Sequence, residues 1–173
     1  EEKLYLKVNR DKTQVGYVGG MNFLGYSFYI NKGECRLCVH AKSYVKLKSN
    51  LKRLTGRSNG MGYEKRKQAL RLFIRGWLEY FKLADMQSRL QRIDEWLRRR
   101  IRMCIWKSWK NRRTRVRNLM RCGINEWKAR EWGGIKGYWR VAGSAVLQRS
   151  LTSEALLNAG YPTLLSYSKL YRK

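Results

Sequence analysis

Hydrophobic and polar residues alternate near the start of the chain, and this period-two pattern predicts β-strands. In "KLYLKV", Leu4, Leu6 and Val8 alternate with Lys3, Tyr5 and Lys7. The aromatic stretch "NFLGYSFYI" is followed by "NKGE" and then by "CRLCVHA". Strand-forming residues on both sides of a glycine turn predict an antiparallel hairpin that reverses at Gly33.

From Lys42 onward the apolar residues recur at helical spacing. We predict one helix over residues 43–54 and a second over residues 63–83, joined by the glycine-rich connector "TGRSNGMG". The predicted apolar positions are Val45, Leu47, Leu51 and Leu54 in the first helix, and Ala69, Leu72, Phe73, Gly76, Trp77, Tyr80 and Phe81 in the second. A glycine inside a helix costs about 1 kcal/mol relative to alanine. We therefore expect a close helix crossing at Gly76.

A third helix is predicted to start near Gln87 and to run into a strongly basic stretch, residues 98–121. On a helical wheel of about 100° per residue, five apolar residues share one arc of about 80° and form the predicted buried stripe. They are Leu90, Ile93, Leu97, Ile101 and Cys104. Away from that stripe lie Arg98, Arg99, Arg102 and Lys110, which we expect to face solvent or a ligand, while Arg100 and Lys107 flank it.

Shorter helical segments follow the basic stretch. Gly123 is predicted to end one of them, and "INEWKAREWGG" to form the next. In "SEALLNAG", Ser153 is the predicted N-cap and Gly160 lies beyond the helix end. Pro162 is predicted to open a last helical turn. The pattern predicts a mainly α fold, a helical domain preceded by a small antiparallel β-hairpin.

Charge then indicates the kind of partner. The chain of 173 residues carries 39 Lys and Arg against 12 Asp and Glu, a formal net charge of +27. Eleven of these cations lie within residues 98–121, which contain no acidic residue, whereas ordinary solvated helix faces mix both signs. With a hydrophobic fraction of 43%, the chain is too apolar to be disordered. A nucleic acid is the favoured partner, and a membrane surface is the alternative.

Candidate catalytic or metal-binding residues are scarce. The chain has one histidine, His40, and scattered carboxylates, so a hydrolytic triad is not expected. Cys35 and Cys38 form a single CxxC whose side chains should point to opposite faces of a strand, so we expect reduced thiols and no zinc site. The sequence contains no run of about eighteen apolar residues, so no membrane-spanning helix is predicted. The residues favour binding over bond-making, with no cofactor held by this chain.

Several motifs, taken in order, resemble the C-terminal part of bacterial group II intron reverse transcriptase/maturases. "LYLKVNRDKTQV", with Asn9 and Lys12-Thr13, is similar to the end of the palm. "NFLGYSF" resembles the primer-grip hairpin, which implies primer-grip-like roles for Phe23, Leu24, Gly25 and Tyr26. "IRGWLEYF", "IDEWLRRRIR" and "KGYWRVAGSAVLQRSLTSEALLNAGYPTLLSY" are similar to the maturase-specific or X domain, which forms the thumb.

The resemblance implies a palm remnant at residues 1–41 and a helical thumb/X domain at residues 42–173. The implied function is to bind group II intron RNA and assist its folding and splicing, and in a complete protein to clamp an RNA/DNA template–primer duplex. The polymerase's YxDD motif is missing, so Mg²⁺ is expected only for the absent palm and for the partner ribozyme. A bacterial cytoplasmic location is implied.

The residues that we expect to contact RNA are basic or aromatic. They are Arg53, Arg57, Arg75, Arg98, Arg99, Arg102, Lys107, Lys110, Arg112, Arg113, Arg115, Arg117, Arg121, Lys136, Tyr138 and Arg140. Two alternatives stay open: a non-catalytic subunit of a split reverse transcriptase, whose palm and fingers come from a separate chain, and a general basic RNA-binding protein. The sequence also leaves open a nonfunctional remnant of a decayed element.

Overall fold

The structure, a computed structural model, describes residues 15–171. The predicted strand in "KLYLKV" and the palm-like residues Asn9, Lys12 and Thr13 lie outside the described residues. A single 3-10 turn, Val18–Gly20, precedes the first strand.

A three-stranded antiparallel sheet forms the beginning of the described chain. Its strands are β1 (Asn22–Phe23), β2 (Tyr26–Asn31) and β3 (Glu34–Val39), in the order β1-β2-β3. The predicted hairpin between β2 and β3 is confirmed, with Tyr26 opposite Val39 and Asn31 opposite Glu34. It reverses through Lys32 and Gly33, whose φ angles are +51° and +83°. Positive φ at both central residues matches the twist of a two-residue hairpin turn.

Helices make up most of the remaining described chain, so the predicted mainly α fold is confirmed. They are α1 (Ala41–Leu54), α2 (Tyr63–Tyr80), α3 (Gln87–Ser108), α4 (Arg112–Arg121), α5 (Glu126–Gly133), α6 (Tyr138–Ala142), α7 (Ala145–Ser150), α8 (Ser153–Asn158) and α9 (Leu164–Tyr171). None of the described helices is long and apolar enough to span a bilayer.

Helix α3 is the centre of the core. Its predicted stripe, from Leu90 to Cys104, is buried at every position. Helices α1, α6 and α9 pack against α3, and α2 packs against α1 and α9. At the start of α9, the buried Asp94 carboxylate of α3 accepts hydrogen bonds from the backbone N–H of Leu164 at 2.8 Å and of Leu165 at 3.0 Å. Burial raises the pKa of Asp94, and the two N–H donors act in the opposite direction.

Several residues of α1 and α2 that were predicted to lie in the core are exposed, and a neighbouring residue of the same helix is buried instead. In α1, Val45 is exposed and Tyr44 is buried. In α2, Leu72 and Tyr80 are exposed, and the buried stripe consists of Leu70, Ile74 and Leu78. These errors arise because α1 and α2 are apolar on more than one side, so the sequence pattern leaves the rotation of each helix undetermined.

Two further local predictions are also wrong. A Cβ built at Gly76 would meet no other described atom within 4 Å, so no helix crosses there. The N-cap of α8 is Thr152, whose side chain accepts from the N–H of Ala155 at 3.1 Å, and Ser153 is the first residue of the helix. The predicted helix end at Gly160 agrees with its φ of +86°.

Candidate nucleic-acid interface

The arginines at the end of α3 turn towards neighbouring backbone. Arg100 donates from Nε to Thr55 Oγ1 at 2.6 Å, and from Nη2 to the carbonyl oxygens of Thr55 at 3.0 Å and Lys52 at 3.1 Å. These carbonyls end α1, where a helix lacks its own donors and where positive charge is favourable. Partial burial lowers the pKa of Arg100. Arg100 therefore acts as the C-terminal cap of α1.

Arg102 corrects our prediction of an outward-facing side chain. It is only 8% exposed, and its Nε donates to the carbonyl oxygen of Leu151 at 2.8 Å. Burial lowers the pKa of Arg102, with a smaller contribution from the charge of Arg98. The wheel failed because it treated α3 as having one buried stripe, whereas the chain from α6 to Leu151 covers a second side.

Arg99 fixes α6 to α3. Its Nη2 and Nε donate to the carbonyl oxygen of Trp139 at 3.1 and 3.3 Å, and its guanidinium lies 4.1 Å from the centre of the Trp139 ring. The backbone of Gly143 lies so close that an added Cβ would be 2.6 Å from Arg99 Cζ. Trp139 keeps an exposed edge, so its ring is neither wholly core nor wholly free.

Three of the predicted RNA-contacting residues from distant parts of the sequence do come together. Tyr138 lies at the start of α6, and the Arg57 guanidinium and the Lys107 ammonium lie 5.1 and 6.0 Å from the centre of its ring. Lys107 Nζ also donates to Ser58 Oγ in the connector at 3.3 Å. Lys110 lines the same region, a concavity of about 470 Å³. The connector, the end of α3 and the start of α6 thus form one basic surface.

Helix α4 contains arginines of two kinds. Arg115 points inward: Nε donates to the carbonyl oxygen of Trp109 at 3.1 Å, and the guanidinium lies 4.6 Å from the centre of a Trp106 ring. In contrast, Arg113, Arg117 and Arg121 are exposed and have no hydrogen-bond or ion-pair partner within residues 15–171. The helix begins at Asn111, whose side chain accepts from the N–H of Thr114 at 2.8 Å.

Helices α4 and α5 enclose a groove, which we call the α4–α5 groove, of about 930 Å³. Its lining consists of Arg112, Arg113, Val116, Arg117, Met120, Arg121 and Arg130. The helices approach closely at Gly133, where an added Cβ would lie 2.7 Å from Val116 Cγ2. Arg130 is a candidate that our sequence analysis missed, because its place on the groove depends on how α5 packs and no sequence signal marks it.

Carboxylates do not neutralise the basic stretch. In the described part of the chain the ion pairs are Arg36–Glu34, Lys67–Glu64 and Arg130–Glu126, all outside residues 98–121. The other predicted contacts are dispersed: Arg53, Arg75, Lys136 and Arg140 are exposed on α1, on α2, before α6 and on α6. Arg98, on α3, is half-buried and lowers the pKa of Asp94 through its charge.

The primer-grip-like residues form a separate surface at the tip of the sheet. Phe23 and Leu24 are 66% and 67% exposed. Gly25 has a φ of +82°, and an added Cβ would lie 2.8 Å from Ser43 Oγ. Tyr26 packs against Phe81 with ring centres 5.1 Å apart, which fixes the hairpin to the end of α2. The sequence-predicted residues thus divide into an anchored half and an exposed half.

Comparison with known proteins identifies the helical region. Residues 45–123 match the family described as "Group II intron, maturase-specific domain". No curated protein matches the chain. The matched segment runs from α1 through α2, α3 and α4, and so contains the whole basic stretch. Residues 45–123, a little under half of the chain, are therefore similar to a group II intron maturase-specific domain, and this similarity implies a maturase role in group II intron splicing.

Proposed function

We propose that the chain binds group II intron RNA directly through two basic surfaces, and that this binding stabilises the folded intron for splicing. One surface is the cluster of Arg57, Lys107, Lys110 and Tyr138, and the other is the exposed row on α4. The observation that carries the proposal is that none of the cations in residues 98–121 forms an ion pair within 4 Å of a carboxylate in the described part of the chain. A polyanion is the natural neutralising ligand for such a surface.

The arrangement supports binding and not bond-making by this chain. Guanidinium and ammonium groups contact phosphates, which fixes the position of an RNA without reading its sequence. Under this proposal the RNA supplies the splicing chemistry, together with any Mg²⁺ that it needs. Binding of intron RNA in a bacterial cytoplasm is part of the same proposal.

A titration against salt tests this proposal. The full chain is mixed with a labelled group II intron RNA, and with an unrelated structured RNA of equal length. If about five phosphates are contacted, affinity for intron RNA should fall on the order of several-hundred-fold between 50 and 200 mM salt. A salt-independent affinity would contradict the proposal. Equal affinity for the two RNAs would instead favour the general basic RNA-binding protein.

The exposed hairpin tip supports a second role, as the thumb side of a template–primer clamp. Phe23 and Leu24 are large, apolar and solvent-exposed, although the rest of the hairpin is fastened to α2. Supplying a separate palm and fingers chain to the purified protein and measuring primer extension tests this role. Extension that requires both chains and is lost in a Phe23→Ala variant would support it, and extension unaffected by this chain would refute it.

A further inference from the structure

The α4–α5 groove combines two features that a simple phosphate site does not need. Its lining consists of five arginines, which we call the rim, and of two apolar side chains, Val116 and Met120, which we call the floor. Met120 is 44% exposed, so a methionine side chain faces solvent between cationic groups. Exposed apolar surface within a charged rim is typical of a site that covers a ligand with both a charged and an apolar part.

The groove is held in shape by contacts that leave its rim available. Arg112 Nη2 donates to the carbonyl oxygen of Arg130 at 3.2 Å, which ties α4 to α5. Arg130 is paired with Glu126 on its own helix, and the close approach at Gly133 fixes the distance between the two helices. These contacts engage two of the five arginines, Arg112 and Arg130, and the other three have no hydrogen-bond or ion-pair partner within residues 15–171.

Arg113, Arg117 and Arg121 stand in a row along α4. Residues four apart on a helix lie on the same side and rise by about 6 Å per step. Three cations at that regular interval match a chain of repeating negative charges, as in an extended nucleic-acid strand. Guanidinium planes also stack on unpaired bases, so the same side chains can hold a base over an apolar floor.

We propose that the α4–α5 groove binds an unpaired stretch of RNA, with its phosphates on Arg113, Arg117 and Arg121 and a base on Val116 and Met120. This inference rests on the proposed function and specifies which part of the RNA enters this groove. A paired A-form duplex keeps its bases stacked inside the helix, so it would satisfy the arginines and leave the floor uncovered. An unpaired segment satisfies both.

The probes separate the base from the phosphate. Fluorescence anisotropy is measured with labelled octauridine, with an abasic ribose-phosphate octamer of the same charge, and with an eight-base-pair RNA duplex. The unmodified chain should bind octauridine about five-fold more tightly than the abasic octamer, because a base covers part of the apolar floor. An oligoglutamate peptide of equal charge serves as a competitor and should compete only weakly.

Two pairs of matched variants locate the effect. Met120→Gln makes the floor polar, and Leu157→Gln is its control, since Leu157 is 46% exposed on α8. The Met120 variant should lose the preference for octauridine over the abasic octamer, and the Leu157 variant should keep it. Changing Arg113, Arg117 and Arg121 to Gln should weaken octauridine binding by more than about ten-fold. Lys46, Lys65 and Lys82 are exposed on α1, on α2 and after α2. Changing these three lysines to Gln removes an equal charge and should weaken octauridine binding by less than about three-fold.

Three results would overturn the inference: equal affinity for octauridine and the abasic octamer, an unchanged preference in Met120→Gln, or competition by oligoglutamate as strong as by octauridine. Intron RNA is titrated in parallel. If the chain binds intron RNA but shows no preference for the base, the groove is only a phosphate site and the proposed function stands. If the chain binds neither RNA, both proposals fall.

Discussion

The end of α3 carries four arginines in residues 98–102, and α4 carries five in residues 112–121. In α3, Arg99, Arg100 and Arg102 donate to backbone carbonyl oxygens of other segments. In α4, three of the arginines are exposed and have no partner in the described part of the chain, and only Arg112 and Arg115 donate to backbone. Two stretches of nearly equal charge thus serve different purposes.

Position in the fold explains the difference. Helix α3 runs through the core, so segments that end against it present carbonyls without helical donors, and a guanidinium with five N–H groups suits them. Helix α4 lies at the periphery and packs mainly against α5, so most of its side chains meet no such carbonyls. Arginine density alone therefore does not measure the capacity to bind RNA.

The largest expected effect comes from removing the α3 arginines. An Arg100→Ala, Arg102→Ala double variant should lower the free energy of unfolding by about 3–5 kcal/mol, because the carbonyls of Thr55 and Leu151 lose charged donors. Thermal and urea melts measure it. The matched Arg113→Ala, Arg117→Ala variant should melt at the same temperature or higher, since it relieves repulsion. Equal losses in the two variants would abolish the distinction between the helices.

The reverse experiment measures RNA binding. Changing Arg113, Arg117 and Arg121 to Ala should make the slope of log affinity against log salt shallower by about 3, one unit for each lost phosphate contact. Arg102→Ala, measured well below its melting temperature, should change the slope by less than about 1. A steeper loss in Arg102→Ala than in the α4 variant would show that the buried arginine contacts RNA after all.

Two glycines provide a test of packing. Gly133→Ala should cost about 1–3 kcal/mol, because the new Cβ would collide with Val116 where α4 meets α5. Gly76→Ala, in open space on α2, should stabilise the protein by about 0.5–1 kcal/mol through its better helix propensity. Chemical denaturation compares the two, and a stabilising Gly133→Ala would show that α4 and α5 are not closely packed.

Conservative changes should give the smallest effects. Arg99→Lys keeps the charge but loses the planar stack on Trp139 and one of two hydrogen bonds, at a cost of about 1 kcal/mol in stability. Arg117→Lys should change stability by less than about 0.5 kcal/mol. RNA affinity of the Arg117 variant should stay within about three-fold, since a lysine still neutralises a phosphate. If lysine serves equally well at both positions, the α3 contact is simply electrostatic.

The hairpin, the order of the helices and the stripe of α3 could be predicted because each depends on local periodicity. The stripe of α3 is correct at all five positions because its residues recur at one helical period, although Met103, Ile105 and Trp106, outside that stripe, are buried as well. Val45 and Leu72 were assigned to the core because the rotation of α1 and α2 depends on which neighbours they meet. Arg130 was missed for the same reason, since its partner helix lies across a turn that the sequence does not orient.

The sequence alone determined that this chain is mainly helical, strongly cationic and similar to a group II intron maturase, because helix period, net charge and motif order are properties of the chain itself. Only the tertiary structure decided which arginines lack a partner within the fold and are available to a ligand. A guanidinium can donate to a carbonyl oxygen of the fold or to a phosphate of a ligand. Whether a carbonyl lies within hydrogen-bond distance depends on packing between residues far apart in sequence. Arg102 and Arg117 look alike in the sequence, and the covering of α3 by the chain from α6 to Leu151 is what separates them.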